Sequence, residues 1–197
     1  MPEVRLATTA DLPAVGRALA RAFKDDPVFR YLAPRADRWD RRATGYFRAD
    51  AANRMRLGHT YTTPTVQGAA LWAPPGQWRA ALPAIAREAP AALGLFGLGT
   101  VRALRLLARV EKVHPKEPEH WYLAVLGTDP DHQGKGVGSV LLAPVLERCD
   151  TEGVPAYLES SKEANVPFYA RHGFELRDPI VVPDGPTIHP MWREPRG

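Results

Sequence analysis

A single cysteine among 197 residues bounds much of what this chain can be. Cys149 alone cannot form an intrachain disulfide, so the sequence points to a reducing, cytoplasmic setting. Its place inside a helix-length segment makes it a packing residue rather than a reactive one. No Cys pairs exist, and His114, His120, His132, His172 and His189 lack i, i+4 partners, so no metal site is expected. The Gly-x-Ser-x-Gly elbow of a Ser-His-Asp hydrolase is missing as well. No apolar run reads as a membrane span, and Met1-Pro2-Glu3-Val4-Arg5 lacks the profile of a secretory signal. Neither a membrane nor a metal is therefore an expected partner.

What is present is ordinary for a soluble domain: 45% hydrophobic and 24% charged residues, enough for one core spanning residues 1–197. The net charge of +4 is spread with acids interleaved. Arg35, Arg38, Arg41, Arg42, Arg48, Arg54 and Arg56 read as a solvated helix face, not a nucleic-acid stripe. A mild positive balance also suits a ligand carrying several phosphates.

Along the chain, Val4–Ala7 reads as a strand and Leu12–Phe23 as an amphipathic helix. Asp25-Asp26-Pro27 then breaks into a short helix, followed by a longer one over Asp37–Leu57. His59–Thr63 and Val66–Trp72 form a hairpin. Residues 73–118 are rich in proline and in Ala/Leu pieces, and read as a helical insertion beside a sheet. After the strand Trp121–Leu126 and the helix that follows it, Ala156–Ser160 is expected to run parallel to that strand. Asn165–Phe174 reads as a short helix ended by Gly173, and Ile180–Val182 and Thr187–Trp192 as the last strands.

The stretch Leu126–Ser139 carries the chemistry. A strand passing through Asp131-His132-Gln133-Gly134-Lys135-Gly136-Val137-Gly138-Ser139 into a helix aims free backbone N–H groups at one point, a site for phosphate or pyrophosphate. It is no nucleotide-hydrolase loop, because Lys135 is followed by Gly136 and not by a hydroxyl. It is no dinucleotide fingerprint either, because Gly134-Lys135-Gly136-Val137-Gly138 is one residue too tight. What fits is Gln-x-x-Gly-x-Gly at Gln133, Gly136 and Gly138.

That pattern resembles the pyrophosphate loop of the GCN5-related N-acetyltransferase (GNAT) superfamily, and Asn165-x-x-x-Tyr169 with Gly173-Phe174 follows in the superfamily's order. The likeness extends to its puromycin-acetylating branch through Val4–Thr8, His114–Pro118, Pro130–Gly136, Asn165–Tyr169 and Val182–Pro186. It departs most over Thr65–Arg109. The resemblance implies an α/β (α+β) GNAT fold: a mixed central sheet of about seven strands flanked by helices, with the insertion before the central strand. It implies acetyl-CoA as cosubstrate, a core for it over about 119–175, and a small-molecule primary amine as acceptor, puromycin-like aminonucleosides first. Other acceptors remain open, namely a protein lysine or N-terminus and a polyamine, and so does a non-catalytic acyl-CoA sensor. Monomer and homodimer are both compatible.

Roles follow residue by residue. Leu126, Gly127 and Thr128 would offer backbone to the pantetheine, and Gln133, Gly134, Lys135, Gly136, Val137, Gly138 and Ser139 would form the pyrophosphate loop. Asn165 would hydrogen-bond the cofactor arm or cap its helix. Tyr169 matches the general acid that protonates the leaving thiolate, and the base is either Glu159 or a water chain to solvent. Asp25, Asp26, Phe29, Tyr31 and Trp72 would make an acidic, aromatic acceptor cleft, or else serve as a helix cap and core aromatics.

Overall fold

The computed structural model describes residues 3–34 and 38–196. Arg35 and Asp37, which the sequence reading placed in a basic face and at a helix start, lie outside the described residues. Among the described residues, eight strands form the sheet: β1 (Arg5–Leu6), β2 (Thr60–Thr62), β3 (Gly68–Ala73), β4 (Trp121–Thr128), β5 (Ala156–Ser160), β6 (Glu175–Leu176), β7 (Ile180–Val181) and β8 (Thr187–Arg193). Their order is β1-β2-β3-β4-β5-β8-β6, with β7 paired to β8. Every pairing is antiparallel except β4 with β5, the parallel pair expected from the helix that separates them. The mixed α/β expectation holds, with eight strands where about seven were expected.

Seven α-helices among the described residues flank the sheet: α1 (Leu12–Ala22), α2 (Pro27–Leu32), α3 (Trp39–Arg54), α4 (Leu82–Phe96), α5 (Thr100–Val113), α6 (Val137–Glu152) and α7 (Val166–Arg171). β3 is buried along its whole length because both of its faces are covered. Ala69 and Leu71 pack with Val15, Leu19, Ala43 and Phe47 of α1 and α3. Ala70 and Trp72 point the other way, into Leu141, Leu142 and Val145 of α6. Gly68 is required where β3 meets the central strand, since a Cβ there would lie 2.4 Å from the Gly127 carbonyl oxygen.

The insertion forms two helices. The expected helical insertion is there, and α4 continues through Pro90. Leu82–Val113 is also long and apolar enough, by length and composition, to cross a membrane, which the sequence reading did not count. Gly97, at φ +51°, divides it into two shorter helices. α4 packs on α3, and α5 reaches α2 and β7, where Leu106 joins Leu32, Ile180 and Ile188. The last residue before the chain leaves α5 for the central strand is His114, its C-cap.

Candidate active site

The central strand is bonded unequally on its two edges. Along β3 it pairs as far as Thr128 opposite Gly68, whereas along β5 pairing stops at Leu123 opposite Leu158. The β5-facing edge of β4 from Ala124 onward is therefore open. A cleft of about 480 Å³ occupies the gap, a volume ordinary for a small-molecule site. It runs from Leu123–Thr128 to the glycine loop on one side, and to Ser160–Lys162, Asn165 and Tyr169 on the other.

At its far end α6 begins. Gly136 precedes the helix at φ +79° and Gly134 sits at φ +72°, conformations in which glycine is at ease and other residues are strained. The first-turn amides of Val137, Gly138 and Ser139 have no carbonyl four residues back within the helix, so they face the cleft as donors. The loop is braced from behind. Gln133 Nε2 donates to the Thr128 carbonyl at 3.1 Å, and Lys135 Nζ to that of Asp131 at 2.8 Å. Phe168 lies where a Cβ on Gly138 would come within 3.1 Å of its ring, which presses α7 against the start of α6. A slot with an open strand edge at one end and a helix N-terminus at the other fits an extended thiol carrier ending in a pyrophosphate.

Of the residues expected to hold the cofactor, Leu126, Gly127, Thr128, Gln133, Gly134, Gly136, Val137, Gly138, Ser139 and Asn165 all line this cleft. Lys135 does not, because its ammonium is turned back onto the loop. Asn165 stands at the start of α7 without making a side-chain cap bond, so its amide remains available to the cleft.

Both expected catalytic residues line it too. Tyr169 is 7% exposed, and burial, followed by the nearby Asp26 carboxylate, pushes its phenol above the usual range. A phenol held in that state keeps its proton across the neutral range and so stands ready as a donor in the cleft.

The acceptor set is divided. Asp26 lines the cleft, accepts from the amides of Val28 and Phe29 as the cap of α2, and also accepts from the Ser161 hydroxyl. Asp25 turns outward to Arg30. Phe29 packs among Phe23, Trp39, Phe47 and Phe96, and Tyr31 lies under Arg102. Trp72 is fully buried against α6. The aromatic cleft expected from Phe29, Tyr31 and Trp72 is therefore not formed by those side chains: alternation along β3 sends Trp72 into the core, and α2 turns its rings toward α3 and α5.

Around Glu159 is a cluster that the sequence reading did not assemble. Tyr122 Oη donates to Glu159 Oε2 at 2.7 Å, and His114 Nδ1 lies 3.2 Å from Oε1. His114 Nε2 is 3.0 Å from Nε2 of His120, whose Nδ1 is 3.0 Å from the Pro118 carbonyl oxygen. Trp78 stacks on His114 with centroids 3.9 Å apart, and Tyr157 stands edge-on at 4.8 Å. Burial raises the Tyr122 phenol well above its ordinary value, with the Glu159 charge adding to it. Burial also lowers the proton affinity of His120. Only the spacing of His114 and Tyr122 about the central strand could have hinted at this, and spacing alone does not show that α5 delivers His114 to the end of β5.

Comparison with known proteins agrees with the geometry. The acetyltransferase (GNAT) family model matches residues 31–174. An uncharacterised N-acetyltransferase of Schizosaccharomyces pombe is 29% identical over 182 residues, covering 87% of this chain and 74% of that protein. A Corynebacterium glutamicum structure described as histone acetyltransferase HPA2 and related acetyltransferase superposes with a TM-score of 0.73 at 26% identity, over 100% of this chain and 97% of the other. The PaiA N-acetyltransferase of Thermoplasma acidophilum, solved in complex with coenzyme A, shares the fold with a TM-score of 0.58 at 14% identity, covering 98% and 99%.

Proposed function

Because the chain belongs to the acetyltransferase (GNAT) family, and so is an acetyl-CoA-dependent acyltransferase, we propose that its acceptor is the primary amine of a small molecule, with puromycin-like aminonucleosides the first to try. The observation that carries this reading is the cleft itself. One wall is an unpaired strand edge running into a helix N-terminus, and the other holds Tyr169 and Glu159.

Acetyl-CoA supplies an activated acyl group as a thioester. The open edge of β4 and the first-turn amides of α6 would hold its pantetheine and pyrophosphate. A backbone amide on that edge can polarise the thioester carbonyl as negative charge develops on its oxygen. Glu159 takes a proton from the ammonium so that the nitrogen lone pair can attack. Tyr169 gives its hydroxyl proton to the sulfur as the C–S bond breaks, and the second proton on the nitrogen makes good that loss. Holding both partners in one cleft replaces a bimolecular encounter with a positioned one.

Asp26 and Glu159, two carboxylates lining the cleft, suit a cationic acceptor, and the resemblance to the puromycin-acetylating branch supports trying that class first. A protein lysine is the second reading, favoured by the name of the Corynebacterium relative. The test is coenzyme A release from acetyl-CoA with puromycin, a polyamine and a lysine peptide in parallel. Saturable release with puromycin is the expected result. Saturation by the peptide alone would replace the small-molecule reading.

A further inference from the structure

We infer that Glu159 and His114 act as one base that holds a single proton between them, and that His120 and the Pro118 carbonyl impose the tautomer that makes them do so. The inference rests on the proposed amine acetylation for its role, but its geometry stands without it.

The donors and acceptors from Pro118 to Glu159 can be filled in one way. The Pro118 carbonyl oxygen only accepts, so His120 must donate to it from Nδ1 at 3.0 Å. A neutral His120 then presents a lone pair at Nε2, and burial keeps that ring neutral by lowering its proton affinity. The contact of 3.0 Å between the two Nε2 atoms must therefore be a bond donated by His114. With its Nε2 proton committed, a neutral His114 turns a bare Nδ1 lone pair toward Glu159 Oε1, 3.2 Å away. A carboxylate oxygen also offers only lone pairs, so this contact is a hydrogen bond only when one more proton lies in it. Emptied, two lone pairs face each other in a site where the His114 and Glu159 side chains are 1% and 7% exposed.

The arrangement is the reverse of the common pairing in which an imidazole N–H donates to a carboxylate and stabilises it as an anion. Here the phenols of Tyr122 on β4 and Tyr157 on β5 both bear on the carboxylate as donors, yet its contact with His114 becomes a hydrogen bond only by taking up a proton. The other groups around it do not supply that proton. Trp78 presents its ring to His114, Tyr157 of β5 stands edge-on to that ring with its phenol on the carboxylate and not in the contact with His114, and Arg54 of α3 is committed to Asp50 at 2.8 Å. The cleft side of Glu159 is open to substrate. In the reaction, the ammonium proton crosses to Glu159 and settles in the contact with His114, the free amine attacks the thioester carbon, and the stored proton later leaves to water through the cleft. Glu159 touches the substrate. His114 and His120 are positioning residues.

The test has two arms. In protein labelled with 15N-histidine, long-range 1H–15N correlation spectra report the tautomer of each ring. We expect the Nδ1–H form for His120 and a protonated Nε2 for His114, and a neutral Nδ1–H ring at His114 would overturn the inference. The second arm is the pH profile of kcat/KM for the best amine, in wild type, His114→Gln and His120→Leu. Gln can donate to Glu159 directly, and loss of His120 frees His114 to do the same. In both variants the acid limb should therefore move to lower pH by about one unit or more. Coenzyme A affinity and far-UV circular dichroism should be unchanged. A uniform loss of rate with the limb in place would mark both histidines as merely structural and overturn the inference. Correct tautomers with no amine turned over would instead defeat the acceptor reading and leave the proton pair standing.

Discussion

Leu123 is the last residue of the central strand to pair with Leu158, and beyond that pair the two parallel strands separate while the opposite edge stays bonded to Gly68. If the gap holds the pantetheine, its amides gain partners when the cofactor binds. Hydrogen exchange over peptides covering 124–139 should then slow by about tenfold on addition of coenzyme A, with little change in β8. Unaltered exchange at 124–128 in the presence of bound coenzyme A would remove the strand edge from the cofactor site.

Gly136 stands at φ +79° with nothing within 4 Å of where a Cβ would be, so a side chain there meets a conformational cost and no clash. Gly136→Ala should cost about 1 kcal/mol of backbone strain. Part of that strain would be relieved by moving the amides that face the cleft. Weaker coenzyme A binding by about five- to tenfold, read by titration calorimetry, is the expected outcome with the fold intact. Unchanged affinity would mean that the loop does not need its left-handed turn to bind.

Tyr169→Phe keeps the ring that packs against Phe168 and Phe174 and removes the proton. kcat should fall by about 10²–10³-fold, with KM for acetyl-CoA nearly unchanged. Because burial holds the phenol protonated, no limb of the wild-type pH profile below about pH 9 should belong to it. A variant that retains most of its rate would leave the thiolate to take its proton from water.

The β2–β3 hairpin, the parallel β4–β5 pair and the glycine loop were legible because each rests on local chemistry: apolar runs bounded by turns, a helix-length crossover, glycines at a helix start. The acceptor side was not. Asp26 reaches the cleft, yet Phe29, Tyr31 and Trp72 turn elsewhere because packing between layers decides which face of an element is inside. His114, His120 and Tyr122 were invisible as a group for a related reason. The helix that ends at His114 belongs to the insertion, and only its docking against α2 and β7 brings that residue to Glu159.

Trp72 separates a core role from an acceptor role in one substitution. Its ring is fully buried and its Nε1–H finds no partner, so Trp72→Phe removes an unsatisfied donor along with some packing volume. Net destabilisation should be about 1–2 kcal/mol, well below that of Trp72→Ala at about 3–5. KM for the acceptor amine should stay within about twofold in the Phe variant. A large rise in KM from a stable Trp72→Phe protein would return this residue to the acceptor site.

Glu88 on α4 faces Asn53 of α3, and burial, reinforced by the Asp50 carboxylate, raises its proton affinity above that of an ordinary glutamate, with Arg54 opposing. The folded protein therefore binds a proton at Glu88 more tightly than the unfolded chain does. Stability from this group is complete below the unfolded value of 4.5 and drains away as pH rises through the higher folded value. Glu88→Gln keeps an amide at the same place without a charge to desolvate. At about pH 8 the variant should be the more stable protein by about 1–2 kcal/mol in urea unfolding, which for a chain of this size is a few degrees in Tm. At about pH 5, where wild-type Glu88 is already largely protonated, the difference should shrink toward zero. A wild type that is the more stable of the two at pH 8 would show that Glu88 is ionised in the fold and held by Arg54, and that the interface between α3 and α4 is tied by charge rather than strained by it.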